Sequence, residues 1–289
     1  MDKFGVIDVG SNSVRLVFVA GGKVLYKALQ TTRLGEGLAD TGRLCEGAIA
    51  RSAAAVDDFY RQACCEGAEM VLVFATAAVR SAENGKEFID RVKALCGLEV
   101  EVISGETEAE IGILGALGEK DGAIIDIGGA STEIVVKKNG AFVYKKSVDI
   151  GVVRLKDLCG REKSALEAAA KKAASAFGEV PLQDATLYAI GGTATTLAAQ
   201  QLGLTVYDSE KITGTEITAT QMQSLADKLL NMTVEEIAKL PCMPMGRADV
   251  LTGGAVLLAF FMRAFKVEKI VVSDRDNLEG YAIKKGLMK

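Results

Sequence analysis

Histidine and tryptophan are absent from this 289-residue chain, and proline occurs only three times. Without histidine there can be no Ser-His-Asp triad, no imidazole general base and no His-ligated zinc. Acid–base chemistry falls to carboxylates, lysines or tyrosines. Any metal would be a hard ion held by oxygens, with Mg²⁺ the default. A basic excess is also missing. The formal charge is -4, which argues against a nucleic-acid surface, since such binding needs clustered Lys and Arg to displace counterions. No apolar run approaches the length of a membrane span and no signal peptide precedes Asp2-Lys3, so a cytoplasmic protein is expected. The six cysteines form no C-x-x-C pair and read as reduced core or surface thiols. What is plentiful is apolar residue, 49% of the chain, enough for two domains of ordinary size.

The chain is organised around a repeat. Gly5 to Phe18 reads GVIDVGSNSVRLVF and Ala123 to Val136 reads AIIDIGGASTEIVV, at a constant offset of 118 residues. Asp8 falls on Asp126, Gly10 on Gly128, Ser11 on Gly129, Ser13 on Ser131 and Arg15 on Glu133. Each copy is an apolar β-branched run, an Asp-x-Gly, a small polar turn ending in Ser, and a second apolar run. That is a strand–turn–strand hairpin. Its amides and hydroxyls would converge on one spot suited to phosphate oxygens. The Asp before the turn is placed to hold a cation bridging those oxygens. One copy could be an ordinary Asp-x-Gly turn. Two in register point to a duplicated domain with two similar loops facing one cleft.

Around the repeat, periodicity predicts strands at 4–8, 14–20 and 23–29, a Gly-rich loop at 31–43, helices at 47–63 and 84–95, and strands at 68–75 and 100–103. Ser104 is positioned to cap the next helix, whose Gly112, Gly115 and Gly118 would permit close packing. The arrangement then restarts. Strands are expected at 122–126, 133–138 and 141–147, helices at 151–158 and 164–177, and a strand at 185–190 running into Gly191-Gly192-Thr193. Helices at 218–231, 233–240 and 246–265, a strand at 269–273 and a helix at 277–287 complete an α/β pattern with mixed sheets.

Four segments could meet in a cleft at strand ends: the two hairpin turns, 76–80 and 191–195. Gly191-Gly192-Thr193 opens a helix, which offers amides to an anion, and is equally an ordinary strand–helix connection. Arg15 is a phosphate clamp or a solvent-facing strand residue. Arg80 is a clamp or a turn cap. Arg247 reaches the cleft or solvates the start of its helix. Glu106 and Glu110 share a helical face and Glu108 points the other way. All three are ordinary first-turn acids by position.

Taken together, Asp8-x-Gly10-Ser11-Asn12-Ser13, Ala75-Thr76-Ala77-Ala78-Val79-Arg80, Ile103-Ser104-Gly105-x-x-Glu108-Ala109, Asp126-Ile127-Gly128-Gly129-x-Ser131-Thr132-Glu133, Gly151-Val152-Val153-Arg154-Leu155 and Gly191-Gly192-Thr193 follow in this order. The chain resembles, over essentially its whole length, the exopolyphosphatase / guanosine pentaphosphate phosphohydrolase family of the actin-like, sugar-kinase and Hsp70 ATPase superfamily. The resemblance implies a duplicated ribonuclease H-like fold: one domain at 1–118, a second at 119–276, and a last helix at 277–289 packing back on the first.

It also implies a phosphoanhydride hydrolase acting with Mg²⁺ on the end of polyphosphate or on the 5′-phosphate of guanosine pentaphosphate (pppGpp). The family's catalytic base falls on Glu108, and its carboxylates for metal and phosphate loop on Asp126 and Glu133. Phosphate contacts fall on Ser11, Asn12, Ser13, Arg15, Gly128, Gly129, Ala130, Ser131, Gly192 and Thr193, with Arg247 a further one. Two departures stand out. Ala130 replaces the third glycine of the second loop. The family's Ser-Asp-x-Gly-Leu-Arg-Glu-Gly reads Ser273-Asp274-Arg275-Asp276-Asn277-Leu278-Glu279-Gly280 here. Longer members carry extra C-terminal helical domains, which counts against processive degradation of long polyphosphate by this chain. A kinase or ATPase of the same superfamily, and a binding protein that senses (p)ppGpp or polyphosphate without turnover, are the alternatives. A monomer and a homodimer both remain open.

Overall fold

The computed structural model describes residues 2–183 and 185–288. Among the described residues, eleven strands fall into two mixed sheets. In the first, β1 (Lys3–Val9), β2 (Ser13–Ala20) and β3 (Lys23–Thr31) form an antiparallel meander, and β4 (Met70–Ala75) and β5 (Val100–Val102) add in parallel beside β1. The order is β3-β2-β1-β4-β5. The second sheet repeats it with β6 (Gly122–Ile127), β7 (Thr132–Lys138), β8 (Ala141–Val148), β9 (Leu187–Ile190) and β11 (Lys269–Val272). A short β10 (Glu216–Thr218) adds at its outer edge, giving β10-β11-β9-β6-β7-β8. This is the duplicated ribonuclease H-like arrangement.

Residue type explains the layering. β1 and β6 are the central strands and are apolar on both faces, as strands covered by helices on each side must be. Every residue of β6 is buried. On the first sheet, one face carries the helix Glu46–Cys65, whose Ile49, Ala53, Val56 and Phe59 are buried. The other face carries Phe4, Val6, Val17 and Phe74 against Ile111, Leu278 and Tyr281. Tyr281 stacks on Phe74 with ring centroids 4.5 Å apart. The last helix, Asn277–Lys284, thus returns from the second sheet to lie against β1 and the helix Gly105–Leu117.

That return explains Gly112 and Gly115 in the helix Gly105–Leu117. A Cβ on Gly115 would sit 1.8 Å from the Asp276 carbonyl, and one on Gly112 2.9 Å from Asn277 Oδ1. Gly118 differs from the close-packing expectation, because it caps the helix C-terminus and its Cβ would meet open space. Other departures are local. The expected loop at 31–43 contains the turn Leu38–Thr41, and 76–80 belongs to the one-turn helix Ala77–Ser81. β10 and the helix Ser209–Ile212 carry too few residues to show periodicity. None of the six cysteines lies in the core; three are exposed and three half-buried. Among the described residues no helix is long and apolar enough to cross a membrane.

Candidate active site

The two turns are built alike. The Gly10 amide donates to the Ser13 carbonyl at 3.0 Å, and the Gly128 amide to the Ser131 carbonyl at 3.0 Å. Each is then braced from behind by the segment that follows its third strand. The Gly35 amide donates to Ser11 O at 2.8 Å, and the Val153 amide to Gly129 O at 2.8 Å. Those two bonds are again 118 residues apart, so the repeat extends past the motif itself. Carbonyls that would repel an anion are engaged, and the small side chains let the turns meet. A Cβ on Gly129 would fall 2.6 Å from Ser11 Cβ and 3.2 Å from the Asn12 amide nitrogen.

Where they meet lies a pocket of 90 Å³ whose walls include Ser11, Asn12, Ser13, Gly128, Gly129, Ala130, Ser131, Gly192 and Thr193. Asp8, Arg15, Glu108, Asp126, Arg247 and Asn277 also line it. Beside it opens a cavity of 1120 Å³ between β3 and the second sheet, sharing Arg15, Gly191, Gly192 and Arg247. Of the thirteen other site residues expected from sequence, all reach the small pocket; Glu133 alone does not line it. Glu133 is 1% exposed, and its Oε1 accepts from Ser147 Oγ at 2.5 Å. It stands directly across the ladder from Asp126.

Three carboxylates here are held far from their usual state. Glu108 sits on the first turn of its helix, where the helix dipole favours the charged form. Burial wins, pushing it up to about 7 against the opposing pull of Arg80. Arg80 Nη1 reaches Glu108 Oε2 at 3.0 Å and the Ile103 carbonyl at 2.8 Å, so Arg80 orients this acid instead of projecting into the pocket. Asp126 is pushed up to about 8 by burial and by the negative charge of Asp276. Glu133 is raised by burial and by Glu108 and Asp126. Glu106, by contrast, is exposed and pairs with Lys145 at 3.4 Å. The resemblance singles out Glu108, and packing gives the physical reason: of Glu106, Glu108 and Glu110 it is the one that faces the pocket, and Glu110 lies beyond the first turn.

The two arginines are held in opposite ways. Arg15 lies between Asp8 and Asp276, hydrogen-bonded and ion-paired to both, so neither reading of it from sequence captured its environment. Arg247 is 8% exposed, packs its guanidinium against Gly192, and has a buried Nε without a partner. Burial and the nearby Arg15 lower its pKa to about 10. Among the described residues no carboxylate pairs with it, so an anion placed there would offset the cost of a buried charge. Sequence reasoning missed Asp276 and Asn277. The Asn277 side-chain amide donates to Asp126 Oδ2 at 3.1 Å, and the only signal was that both stand where the resemblance expected Gly-Leu.

Chemically, the site offers amides, hydroxyls and Arg247 to phosphate oxygens, and one near-neutral carboxyl able to take a proton. A divalent cation fits the acidic side. Asp8 Oδ1 and Glu133 Oε2 are buried without partners, and burial, with repulsion from neighbouring acids added to it, raises the carboxylates, the condition a cation relieves. Among the described residues no three side chains form a complete metal cage.

Comparison with known proteins agrees. The model of the Ppx/GppA phosphatase family matches residues 6–287. Exopolyphosphatase 2 of Mycobacterium tuberculosis is 32% identical, covering 98% of this chain and 98% of that protein. A guanosine-5′-triphosphate,3′-diphosphate pyrophosphatase of Photobacterium profundum is 29% identical, covering 99% of this chain and 58% of that protein. The crystal structure of an exopolyphosphatase from Cytophaga hutchinsonii superposes with a TM-score of 0.87 at 26% identity, covering 99% of each chain. With its duplicated sheets, its paired turns and this match over nearly all its length, the chain belongs to the Ppx/GppA phosphatase family.

Proposed function

We propose that this chain hydrolyses phosphoanhydrides, releasing orthophosphate from the end of polyphosphate or from the 5′-phosphate of pppGpp. The curated relatives carry those two activities in their names. The observation that carries the reading is the 90 Å³ pocket, where both turns, Arg247 and Glu108 converge. Phosphoryl transfer to water passes through a state whose charge is spread over the equatorial oxygens, so positioning and charge stabilisation dominate. The turns at Ser11–Ser13 and Gly128–Ser131 hold the terminal phosphoryl group. Arg247 and the start of the helix Gly191–Leu202 supply positive charge. Glu108, oriented by Arg80, positions the attacking water and accepts its proton at the carboxylate oxygen. Mg²⁺ held at Asp126, with Glu133 behind it, would neutralise charge on the bridging and terminal oxygens. Cytoplasmic action and a division into lobes at 1–118 and 119–276 belong to the same proposal.

The experiment is orthophosphate release from tripolyphosphate, long polyphosphate and pppGpp, side by side, with Mg²⁺ or with chelator. Release that needs Mg²⁺ but no acceptor is the expected outcome. Phosphorylation of an added acceptor without release of orthophosphate points to a kinase. Tight binding of all three without release points to a sensor.

A further inference from the structure

Arg247 has no carboxylate partner among the described residues to fix it, yet on the hydrolase reading it must meet a phosphate held by the first turn, on the other sheet. One short segment spans that gap. Thr31, the last residue of β3, stands across the ladder from Ser13. The Thr32 and Arg33 amides donate to the Asn12 carbonyl at 3.1 and 2.9 Å. The segment is anchored from behind, where Ser52 Oγ donates to Thr32 Oγ1 at 2.8 Å and Arg51 Nε to the Thr32 carbonyl at 3.3 Å. On its other side it grips the chain two residues before and two residues after Arg247. Thr31 Oγ1 donates to the Met245 carbonyl at 2.5 Å. Arg33 Nη2 reaches Asp249 Oδ2 at 3.0 Å, an oxygen that Lys156 shares at 2.8 Å.

Two backbone features accompany this bridge. Gly246 has a φ of +72°, and a Cβ there would fall 2.6 Å from Thr31 Cγ2, so the segments touch where a side chain would not fit. Arg33 has a φ of 52°, a left-handed conformation that is costly for a residue with a side chain and persists where surrounding contacts impose it.

We infer that Arg33, together with Thr31, is a positioning residue: it sets the separation between the first phosphate turn and Arg247, and acts on substrate only through Arg247. A half-exposed ion pair of this kind adds little to stability; its effect is on where the chain carrying Arg247 lies. The inference rests on the hydrolase reading of the site.

A double-mutant cycle tests it. Arg33→Gln should lower kcat/KM for tripolyphosphate about tenfold, less than the ~100-fold that a misplacement of about 1 Å can cost. In an Arg247→Gln background the same change should move kcat/KM by less than about twofold, because the group being positioned is gone. Parent-like kcat/KM in Arg33→Gln overturns the inference. So does an equal loss in both backgrounds, the pattern of a merely structural role. Thr31→Val removes one hydrogen bond and little volume; it should give a smaller loss with the same dependence on Arg247, and it carries the test if Arg33→Gln does not fold. Calorimetric titration of inorganic phosphate into the same four proteins, in chelator, should show the same non-additivity without any turnover. If none of them releases orthophosphate, the hydrolase reading fails, while non-additive phosphate binding still supports the bridge and additive losses overturn it.

Discussion

The two hairpin turns share a backbone and differ in charge. In the first, Asp8 faces Arg15 across the β1–β2 ladder and the two form an ion pair. In the second, Asp126 faces Glu133 across β6–β7, and both acids are driven up by burial, with the charge of Asp276 adding at Asp126 and those of Glu108 and Asp126 adding at Glu133. The turn bonds, the bracing amides and the offset are the same in both copies. A duplicated scaffold therefore carries one neutralised copy and one copy with surplus negative charge. The neutral copy can hold an anion without help. The acidic copy cannot approach a phosphate until a proton or a cation relieves it. The comparison teaches that fold and chemistry are separable here: the turns share one backbone, and the second residue after each Ser sets the charge beside them.

The largest expected effect lies between the copies. Glu108→Gln should lower turnover at least ~100-fold, the low end of what a positioned base contributes, while tripolyphosphate still binds; steady-state kinetics with calorimetric binding checks it. Unchanged turnover would remove Glu108 from the mechanism. Next comes the contrast of arginines. Arg247→Gln should lower kcat/KM by roughly 10- to 100-fold, as loss of one aligned charged donor does. Its melting temperature should not fall, because an unpaired buried charge is being removed. Arg15→Gln should destabilise instead, since it strands Asp8 and Asp276.

Smaller is the glycine comparison. Gly129→Ala forces a Cβ to 2.6 Å from Ser11, whereas Gly10→Ala meets only the Ser13 carbonyl at 3.1 Å. Gly129→Ala should therefore cost about 1–3 kcal/mol by denaturant unfolding, and Gly10→Ala less. Equal costs would mean that the turns do not press on each other.

The smallest effect is on stability against pH. Glu108 at about 7 and Asp126 at about 8 lie above the ordinary carboxylate range. Their contribution to stability is full below the unfolded value near ~4 and is lost as pH rises through those raised values. In chelator, the melting temperature should fall between pH ~5 and ~8.5. Glu133→Gln should flatten that fall, and Mg²⁺ should stabilise more at the alkaline end. A flat profile in chelator would contradict the frustrated second copy.

Much of this was legible in the chain. The offset between Asp8 and Asp126 exposed the duplication, and alternation of apolar residues located the meanders, because central strands buried on both faces leave an unbroken signal. Which acid to single out was legible only through the resemblance, since Glu106, Glu108 and Glu110 are equivalent until packing chooses one. The partners of Arg15 were not legible. Asp276 is 261 residues away from it along the chain, brought in by a helix that crosses back from the other sheet. Nor could sequence show that Arg247 lacks a counter-charge, because that depends on what fails to arrive beside it.

The most direct measurement is a crystal structure of the Glu108→Gln protein with tripolyphosphate and Mg²⁺. The expected result is a terminal phosphate between Ser11–Ser13 and Gly128–Ser131, touching Arg247 and reaching no farther than the side chain at position 108. A phosphate chain lying wholly in the wide cavity, with both turns empty, would contradict the shared grip on which the rest depends.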